Sequence, residues 1–439
     1  MKRNSDEASN VRDTAKVILF ANTEWYLYNF RLPLAEALRA SGFEVLLISP
    51  PGEYGKRLQA AGFRWEPLPM DRRSLNPLHE LSVLIYLARL YRRERPAVAH
   101  HFTIKCVVYG AIAGAIARVP ARINAATGLG YVFTNTALKA CLLKPLVRSL
   151  LRWTLTNTHS RLILQNNDDV AAFEKQRLAD HRHIRLIKGS GVATDQFRPA
   201  TEPALSGQTT RVLLAARLLW DKGIGEYVQA ARQLRAAGLP IKFLLAGAPD
   251  TGNPASIPQR QLNAWATEGV VELLGQVDDM QALFANVDIA VLPSYREGLP
   301  KSLIEAAACA LPLVTTDVPG CREVVTNEKD GLLVPVRDAV ALAMAIRRLH
   351  ERPEWARQLG LAARAKALAE FDERIVIART LDVYRELLTE VAIGDVPNRE
   401  EPGQLYEFQR RDPSEMAVSG CADAHKSGGN QWRPKLAAK

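Results

Sequence analysis

The sequence is poor in cysteine. Its five cysteines (Cys106, Cys141, Cys309, Cys321 and Cys421) form no Cys-x-x-Cys pair and no metal-type spacing. That excludes a disulfide framework and a zinc module, and it points to a reducing compartment. Cys309 and Cys321 are expected to pack as small apolar groups. No run of about eighteen uncharged apolar residues occurs, so no segment is expected to span a bilayer as a helix. The opening Met-Lys-Arg-Asn-Ser-Asp-Glu is polar and has no signal-type apolar region, so the chain is expected to stay in the cytoplasm. There is no Gly-x-x-x-x-Gly-Lys-Ser/Thr stretch, which excludes a P-loop. No His/Asp/Glu cluster has metal spacing, so no metal is expected, and no Ser-His-Asp arrangement stands out. The net charge is +10, but the basic residues are not interleaved with aromatics in any known module. Nucleic acid is therefore not an expected partner.

What is present is a long alternation of strand and helix patterns. A chain of 439 residues exceeds one ordinary core and implies two domains. Short apolar runs at 15–21, 44–49, 63–68, 97–101, 122–126, 162–165 and 184–187 read as strands. Between them, residues 22–29 read as a loop, 77–93 as a long amphipathic helix and 138–156 as a basic helical segment. Residues 188–208 are polar and rich in Gly, Pro and Thr, as a linker would be. A second series follows, with strands at 211–216, 242–246, 270–274, 288–292, 313–316 and 331–334, then helices at 340–350, 355–370 and 375–391. The expected fold is α/β, with two Rossmann-like domains and a cleft between them. The expected divisions are a flexible 1–14, a first domain at 15–190, a second at 191–374, a C-terminal helix at 375–393 that could return to the first domain, and a disordered tail at 394–439. The charge is uneven: residues 1–200 hold 29 Lys+Arg against 16 Asp+Glu, a net of +13, and the remainder nets −3. A basic half attracts anionic lipid or a phosphorylated acceptor.

The chain is organised around residues 291–325. An apolar run ends at Pro293, Ser294 to Pro300 reads as a turn, and a helix follows from Lys301 with Pro300 suited to its first turn. The start of such a helix presents free N–H groups and a partial positive charge to a phosphate. Glu297 lies in the turn and Glu305 in the helix, eight positions on. Carboxylates this close to an anion site are best explained by sugar hydroxyls, which donate hydrogen bonds to them. Ala215-Ala-Arg-Leu-Leu-Trp-Asp-Lys-Gly223 leaves the first strand of the second half at the place where doubly wound folds bind ligands. There Arg217 and Lys222 can place two cations on a diphosphate leaving group.

Glu297-Gly-Leu-Pro-Lys-Ser-Leu-Ile-Glu305, with the later Pro319-Gly320 and Glu323, resembles the E-x7-E signature of the retaining glycosyltransferases of family four, which have the GT-B fold. The resemblance implies that Glu297 contacts the donor sugar, with Gly298, Leu299 and Pro300 shaping the turn, and that Glu305 holds the ribose hydroxyls. It assigns Arg217 and Lys222 to the family's Arg-x4-Lys pair. It places Gln276 and Val277 beside the nucleotide base, although a plain turn fits that segment as well. Gly189-Ser-Gly-Val-Ala-Thr-Asp-Gln-Phe-Arg-Pro199 matches the segment that opens the crossing between domains, with Ser190 in place of the usual Asn.

The first half is similar to the capsule- and lipopolysaccharide-type branch of that family. The matching residues are Trp25-Tyr-Leu-Tyr-Asn-Phe-Arg-Leu-Pro-Leu34, Arg72-Arg73-Ser74-Leu-Asn-Pro77, His100-His101 and Thr127-Gly128-Leu-Gly-Tyr-Val-Phe133. That branch commonly builds saccharides on polyprenyl-diphosphate carriers. Tyr28 is expected to touch donor or acceptor, or to pack on the first helix. Thr127 and Gly128 occupy the place of the family's His-Gly pair, so the role of that His falls by location to His101 or is not filled. The chain is thus expected to be a retaining transferase moving a hexose or N-acetylhexosamine from a UDP-sugar to a lipid-linked saccharide, without a metal. The alternatives are a transferase with a soluble acceptor and a non-transferring GT-B enzyme such as a nucleotide-sugar 2-epimerase, which would need further acid/base carboxylates in the cleft. An anionic membrane surface is an expected partner, on the cytoplasmic face of the inner membrane. Leu142, Leu143, Leu146, Leu150 and Leu151 share one helical face flanked by Lys139, Arg148 and Arg152, and are expected to lie on that surface or to pack on the sheet.

Overall fold

Strands form where apolar runs such as Lys16-Val-Ile-Leu-Phe20 and Ile289-Ala-Val-Leu292 carry apolar side chains on both faces, as parallel strands covered by helices on both sides require. In the structure, a computed structural model, residues 15–71, 74, 76–126, 148–156, 159–200, 209–250 and 253–394 are described. Arg73, Thr127, Gly128, the segment 138–147, residues 1–14 and the tail from 395 lie outside them.

The first seven strands are β1 (Lys16–Phe20), β2 (Glu44–Ser49), β3 (Arg64–Pro67), β4 (Val98–Phe102), β5 (Ala121–Ala125), β6 (Ser160–Leu164) and β7 (Ile184–Leu186). They make one sheet in the order β3-β2-β1-β4-β5-β6-β7. The next six are β8 (Thr210–Ala215), β9 (Ile241–Ala246), β10 (Glu272–Gly275), β11 (Ile289–Leu292), β12 (Leu313–Thr316) and β13 (Leu332–Val334), in the order β10-β9-β8-β11-β12-β13. Neighbouring strands are parallel in both sheets. The strand order reverses beside β1, which lies between β2 and β4, and beside β8, which lies between β9 and β11. Doubly wound sheets bind ligands outside the carboxyl ends of the strands at such points. The architecture is the two Rossmann-like domains expected.

The segment at 22–29, expected as a loop, is helical from Glu24. Thr23 caps it by accepting from Tyr26 N at 3.1 Å, and Leu27–Arg31 continues as a π-helical turn into the helix Leu32–Ala40. Pro33 explains the irregularity: it has no N–H to give the Asn29 carbonyl four residues back. That carbonyl is taken instead by Lys301 Nζ of the second half, at 2.6 Å.

The helix Glu373–Gly394 leaves the second half and packs against the first sheet. Tyr384 OH meets His100 Nδ1 at 2.9 Å, and Glu386 accepts from Arg161 Nε at 2.8 Å and Arg185 Nε at 3.0 Å. The two crossings of the chain between halves are joined by backbone bonds, Val192 N to Phe371 O at 2.9 Å and Glu373 N to Val192 O at 3.0 Å. Among the described residues no helix is long and apolar enough to cross a membrane.

Candidate active site

The turn after β11 is built as its residues dictate. Pro300 takes an extended backbone at the N-cap of the helix Lys301–Ala308, one position before the first turn expected for it. No side chain caps that helix, so its first N–H groups are left to a ligand. Ser294 is buried; its Oγ donates to Glu297 Oε1 at 2.6 Å, and its carbonyl accepts from Thr316 Oγ1. Lys222 Nζ donates to the same Glu297 Oε1 at 2.5 Å. Glu297 is thereby fixed through one oxygen, while Oε2 has no partner among the described residues.

Two glycines let the backbones come this close. Gly223 (φ 69°) follows the turn that carries Lys222, and a Cβ there would lie 2.0 Å from the Pro293 carbonyl oxygen. Gly320 (φ 80°) packs on the turn itself, where a Cβ would lie 2.5 Å from Gly298 O and 2.7 Å from Glu297 O. A side chain at either place would push the turn away from its neighbours.

Glu305 sits one helical turn beyond Lys301 and is buried. Its carboxylate accepts no hydrogen bond from the described residues; the nearest cation is Lys301 Nζ, at 3.9 Å. Burial pushes the Glu305 carboxyl up to about 7, with Lys301 pulling weakly the other way. Burial likewise lowers the Lys301 ammonium from its ordinary range. A carboxylate desolvated without donors is a costly arrangement, and ligand hydroxyls would relieve it.

The other expected residues are placed unevenly. Arg217 is not beside Lys222 and Glu297; its Nη1 reaches Asp250 Oδ2 at 2.8 Å, at the end of β9, with the side chain 55% exposed. Gln276 is exposed and Val277 half-buried just beyond β10. Leu299 is half-buried, with its Cδ2 against Gly189 of the crossing segment. Tyr28 packs its ring 5.4 Å from that of Tyr54. It also lines a cavity of about 260 Å³ with Asn29, Gln196, Phe197, Lys301 and Glu373, where the first helix meets the crossing segment. Ser74 lies at the rim before the helix Pro77–Glu94, its carbonyl accepting from Lys105 Nζ at 3.2 Å.

His101 requires a correction. It is fully buried, with Nδ1 on Asn124 Oδ1 at 2.8 Å, Nε2 on Tyr91 OH at 3.1 Å, and Gly110 packed against its ring. Burial lowers its pKa to about 4, so it is a neutral core residue and does not face the cleft. His100, on the opposite face of β4, is buried against Tyr384. Of the leucine face expected to lie on a membrane surface or to pack inward, Leu151 takes the second course and is buried with Leu155 against Val107 and Val108.

The structure also reveals a residue that the sequence reading missed. Asn166, at the end of β6, is buried and caps the helix Asn167–Lys175 by accepting from Asp169 N at 2.7 Å. Its Nδ2 donates across the cleft to Gly298 O at 2.7 Å. Around it, Asn167 N and Nδ2 donate to Glu323 Oε1 at 3.1 and 3.0 Å, Arg322 Nη1 reaches Asp168 Oδ2 at 3.0 Å, and Arg296 Nη2 reaches Asp169 Oδ1 at 3.3 Å. The first half therefore holds the turn of the second half through Gly298 O, while Lys222 holds it through Glu297. The Asn-x-x-Asp cap after an apolar run was legible; its partner 132 positions away was not.

Among the described residues no group of three or more His, Cys, Asp or Glu could hold a metal ion. What the described residues offer is two carboxylates with unclaimed oxygens, Glu297 held by Lys222 and Glu305 with Lys301 as its nearest cation, and an uncapped helix start.

Comparison with known proteins agrees with this geometry. Residues 16–167 match the family model described as glycosyl transferase 4-like, and residues 209–352 match glycosyl transferases group 1. The chain is 30% identical over 375 residues to an N,N'-diacetylbacillosaminyl-diphospho-undecaprenol alpha-1,3-N-acetylgalactosaminyltransferase of Campylobacter jejuni, an alignment covering 83% of this chain and 97% of the relative. It is 26% identical over 293 residues to a UDP-Gal:alpha-D-GlcNAc-diphosphoundecaprenol alpha-1,3-galactosyltransferase of Escherichia coli, covering 64% and 73%. The solved structure of Anabaena Alr3699/HepE in complex with UDP and glucose superposes with a TM-score of 0.69 at 18% identity, covering 84% of this chain and 99% of that one, and shares the fold. With a relative matched along nearly its whole length and a family model on each half, the chain belongs to the group 1 and 4-like glycosyl transferases and is a glycosyltransferase of the GT-B fold.

Proposed function

We propose that this glycosyltransferase moves a hexose or N-acetylhexosamine from a UDP-sugar to a saccharide carried on a polyprenyl diphosphate, with retention of anomeric configuration. The observation that carries the reading is Glu297, anchored through Oε1 by Lys222 and Ser294 with Oε2 open, beside a helix start that no side chain caps. The names of the Campylobacter and Escherichia relatives, both acting on diphospho-undecaprenol saccharides, support the acceptor class, and the second supports a UDP donor.

In this reading Glu297 Oε2 accepts a hydrogen bond from a donor-sugar hydroxyl, and Glu305 accepts from the ribose. Lys222 and the free N–H groups of the helix Lys301–Ala308 lie against the diphosphate, and Arg217 swings from Asp250 to join them. As the bond from the anomeric carbon to the diphosphate oxygen breaks, charge grows on that oxygen and is stabilised by these groups. The acceptor hydroxyl forms its new bond on the same face and gives its proton to the departing phosphate oxygen. The protein supplies position and electrostatics rather than a strong base, and no metal is required. Proton NMR of the product is the test. An α-linkage formed from an α-linked donor supports the reading. An inverted linkage refutes retention, and conversion of the UDP-sugar without an acceptor refutes transfer.

A further inference from the structure

Lys222 stands on a short piece of chain. It closes the single 3₁₀ turn Trp220–Lys222, which no side chain caps, and Asp221 beside it is exposed. A lysine side chain is a flexible four-carbon stem, so its place at Glu297 depends on how the loop beneath it is held. Gly223, packed on the Pro293 carbonyl, is one anchor. A second anchor comes from the turn after β11 and straddles the lysine.

Ser294 and Tyr295 are neighbours in that turn with different partners. Ser294 holds Glu297, whereas Tyr295 takes hold of the loop on both sides of Lys222. Tyr295 N donates to Asp221 O at 2.9 Å, one residue before the lysine. Tyr295 OH donates to Glu226 Oε1 at 2.8 Å, in the first turn of the helix Ile224–Ala236 and four residues after the lysine. The ring that joins these two bonds carries the Arg337 guanidinium 4.7 Å from its centroid, a contact made from just beyond β13.

The Glu226 carboxylate is placed at a cost that packing does not explain. Its Oε2 is buried and has no partner among the described residues, and the Tyr295 hydroxyl is its one side-chain donor there. A hydrogen bond to a carboxylate is stronger than one between neutral groups, which suits it to fixing a loop. Burial, with the bond to Glu226, pushes the Tyr295 phenol up to about 12, so the hydroxyl remains a donor at neutral pH. Departures from the least costly local arrangement collect at functional sites.

We propose that Tyr295, through Asp221 O and Glu226, is a positioning residue for Lys222. The turn that carries Glu297 also grips the loop that carries the lysine, so the two groups keep their separation before a donor arrives. A lysine held in this way meets the leaving diphosphate without first being ordered, and a displacement of about 1 Å is enough to cost about 100-fold in rate. The inference rests on the role proposed above for Lys222. A Tyr295 that only supports the fold would change melting and leave the chemistry of the folded enzyme alone. A Tyr295 that positions Lys222 loses its effect once Lys222 is gone.

Initial rates are measured in detergent, below the melting temperature of each variant, with the UDP-sugar that the wild type uses and a short-prenyl diphosphate-linked saccharide. Tyr295→Phe keeps the ring and the backbone N–H and removes only the hydroxyl. It is expected to lower kcat about tenfold with the donor KM within about twofold of wild type. Glu226→Leu is expected to match it, and Glu226→Gln, whose amide oxygen can accept the same bond, to recover most of the loss. In the Lys222→Ala background, Tyr295→Phe is expected to change kcat by less than about twofold. An unchanged kcat in Tyr295→Phe beside an impaired Lys222→Ala overturns the positioning role and leaves the diphosphate reading standing. A loss that persists in full in the Lys222→Ala background overturns it in favour of structural support. Equal losses in Glu226→Gln and Glu226→Leu overturn it in favour of the carboxylate's charge. Wild-type turnover in Lys222→Ala overturns the diphosphate reading and the positioning role with it.

Discussion

Glu305→Gln keeps the shape of a buried side chain and removes its charge. The Glu305 carboxyl is raised from its ordinary 4.5 to about 7 by burial, so ionising it costs folding free energy. The folded state holds its proton more tightly than the unfolded state does, so stability falls as pH rises from 4.5 through 7 and then levels off. The gap converts to roughly 3 kcal/mol at pH 8 and under about 1 kcal/mol at pH 5. The side chain retains 12% exposure, so residual water reduces the larger figure to roughly 2 kcal/mol. Glutamine has no such penalty, and the ligand-free variant should be more stable than the wild type at pH 8, with little difference at pH 5. It should also bind UDP more weakly, by about 1–3 kcal/mol, because an amide replaces the ionised acceptor for the ribose hydroxyls. Thermal denaturation at the two pH values and calorimetric titration with UDP measure both effects. An equal change in melting temperature at pH 5 and pH 8 would refute the buried-charge argument, and unchanged UDP affinity would refute the ribose contact.

Three further outcomes follow from other residues. Asn166→Ala should raise the donor KM more than it lowers kcat, since it releases the Gly298 carbonyl, and it should cost about 1 kcal/mol of stability through the lost cap; an unchanged KM would remove Asn166 from the positioning of the turn. His101→Ala should cost about 2–4 kcal/mol by leaving Tyr91 and Asn124 without their partner, yet keep wild-type kcat below its melting temperature; a variant that melts normally but is inactive would restore a direct role for His101. Prolonged EDTA treatment should leave transfer unchanged, and a loss rescued by a divalent cation would contradict a diphosphate held by Lys222, Arg217 and the helix alone.

The sequence carried much of the fold because it is built from local signals. Lys16-Val-Ile-Leu-Phe20 and Ile289-Ala-Val-Leu292 are apolar runs ended by turn residues, and such runs announce buried parallel strands. The turn from Ser294 to Pro300 was legible for the same reason. The bond from Lys222 to Glu297 depends on Gly223 meeting the Pro293 carbonyl, a tertiary contact that no local pattern specifies. Arg217 reads as a partner of Lys222 by spacing, yet its guanidinium pairs with Asp250, just beyond the neighbouring strand β9. His101 misled because the end of a strand in such a sheet opens toward the cleft, whereas the layer on its face closes over it through Tyr91 and Gly110. The segment 22–29 reads as a loop in sequence, and its helical start rests on the Thr23 cap; past it the chain answers Pro33 with a π-turn and gives the freed Asn29 carbonyl to Lys301. Asn166 could be read as a helix cap, but its Gly298 partner lies in the other half of the chain.

The central claim is tested most directly by transfer itself. The enzyme is incubated in detergent with a panel of radiolabelled UDP-sugars and a short-prenyl diphosphate-linked saccharide, alongside Glu297→Gln and Lys222→Ala. The wild type is expected to extend the saccharide by one sugar from one of these donors. Both variants are expected to melt normally and to lose most of their turnover, since they break the pair that fixes the donor-side carboxylate. Wild-type turnover in folded Glu297→Gln and Lys222→Ala, or no transfer from any UDP-sugar to the prenyl-linked saccharide, would contradict the account.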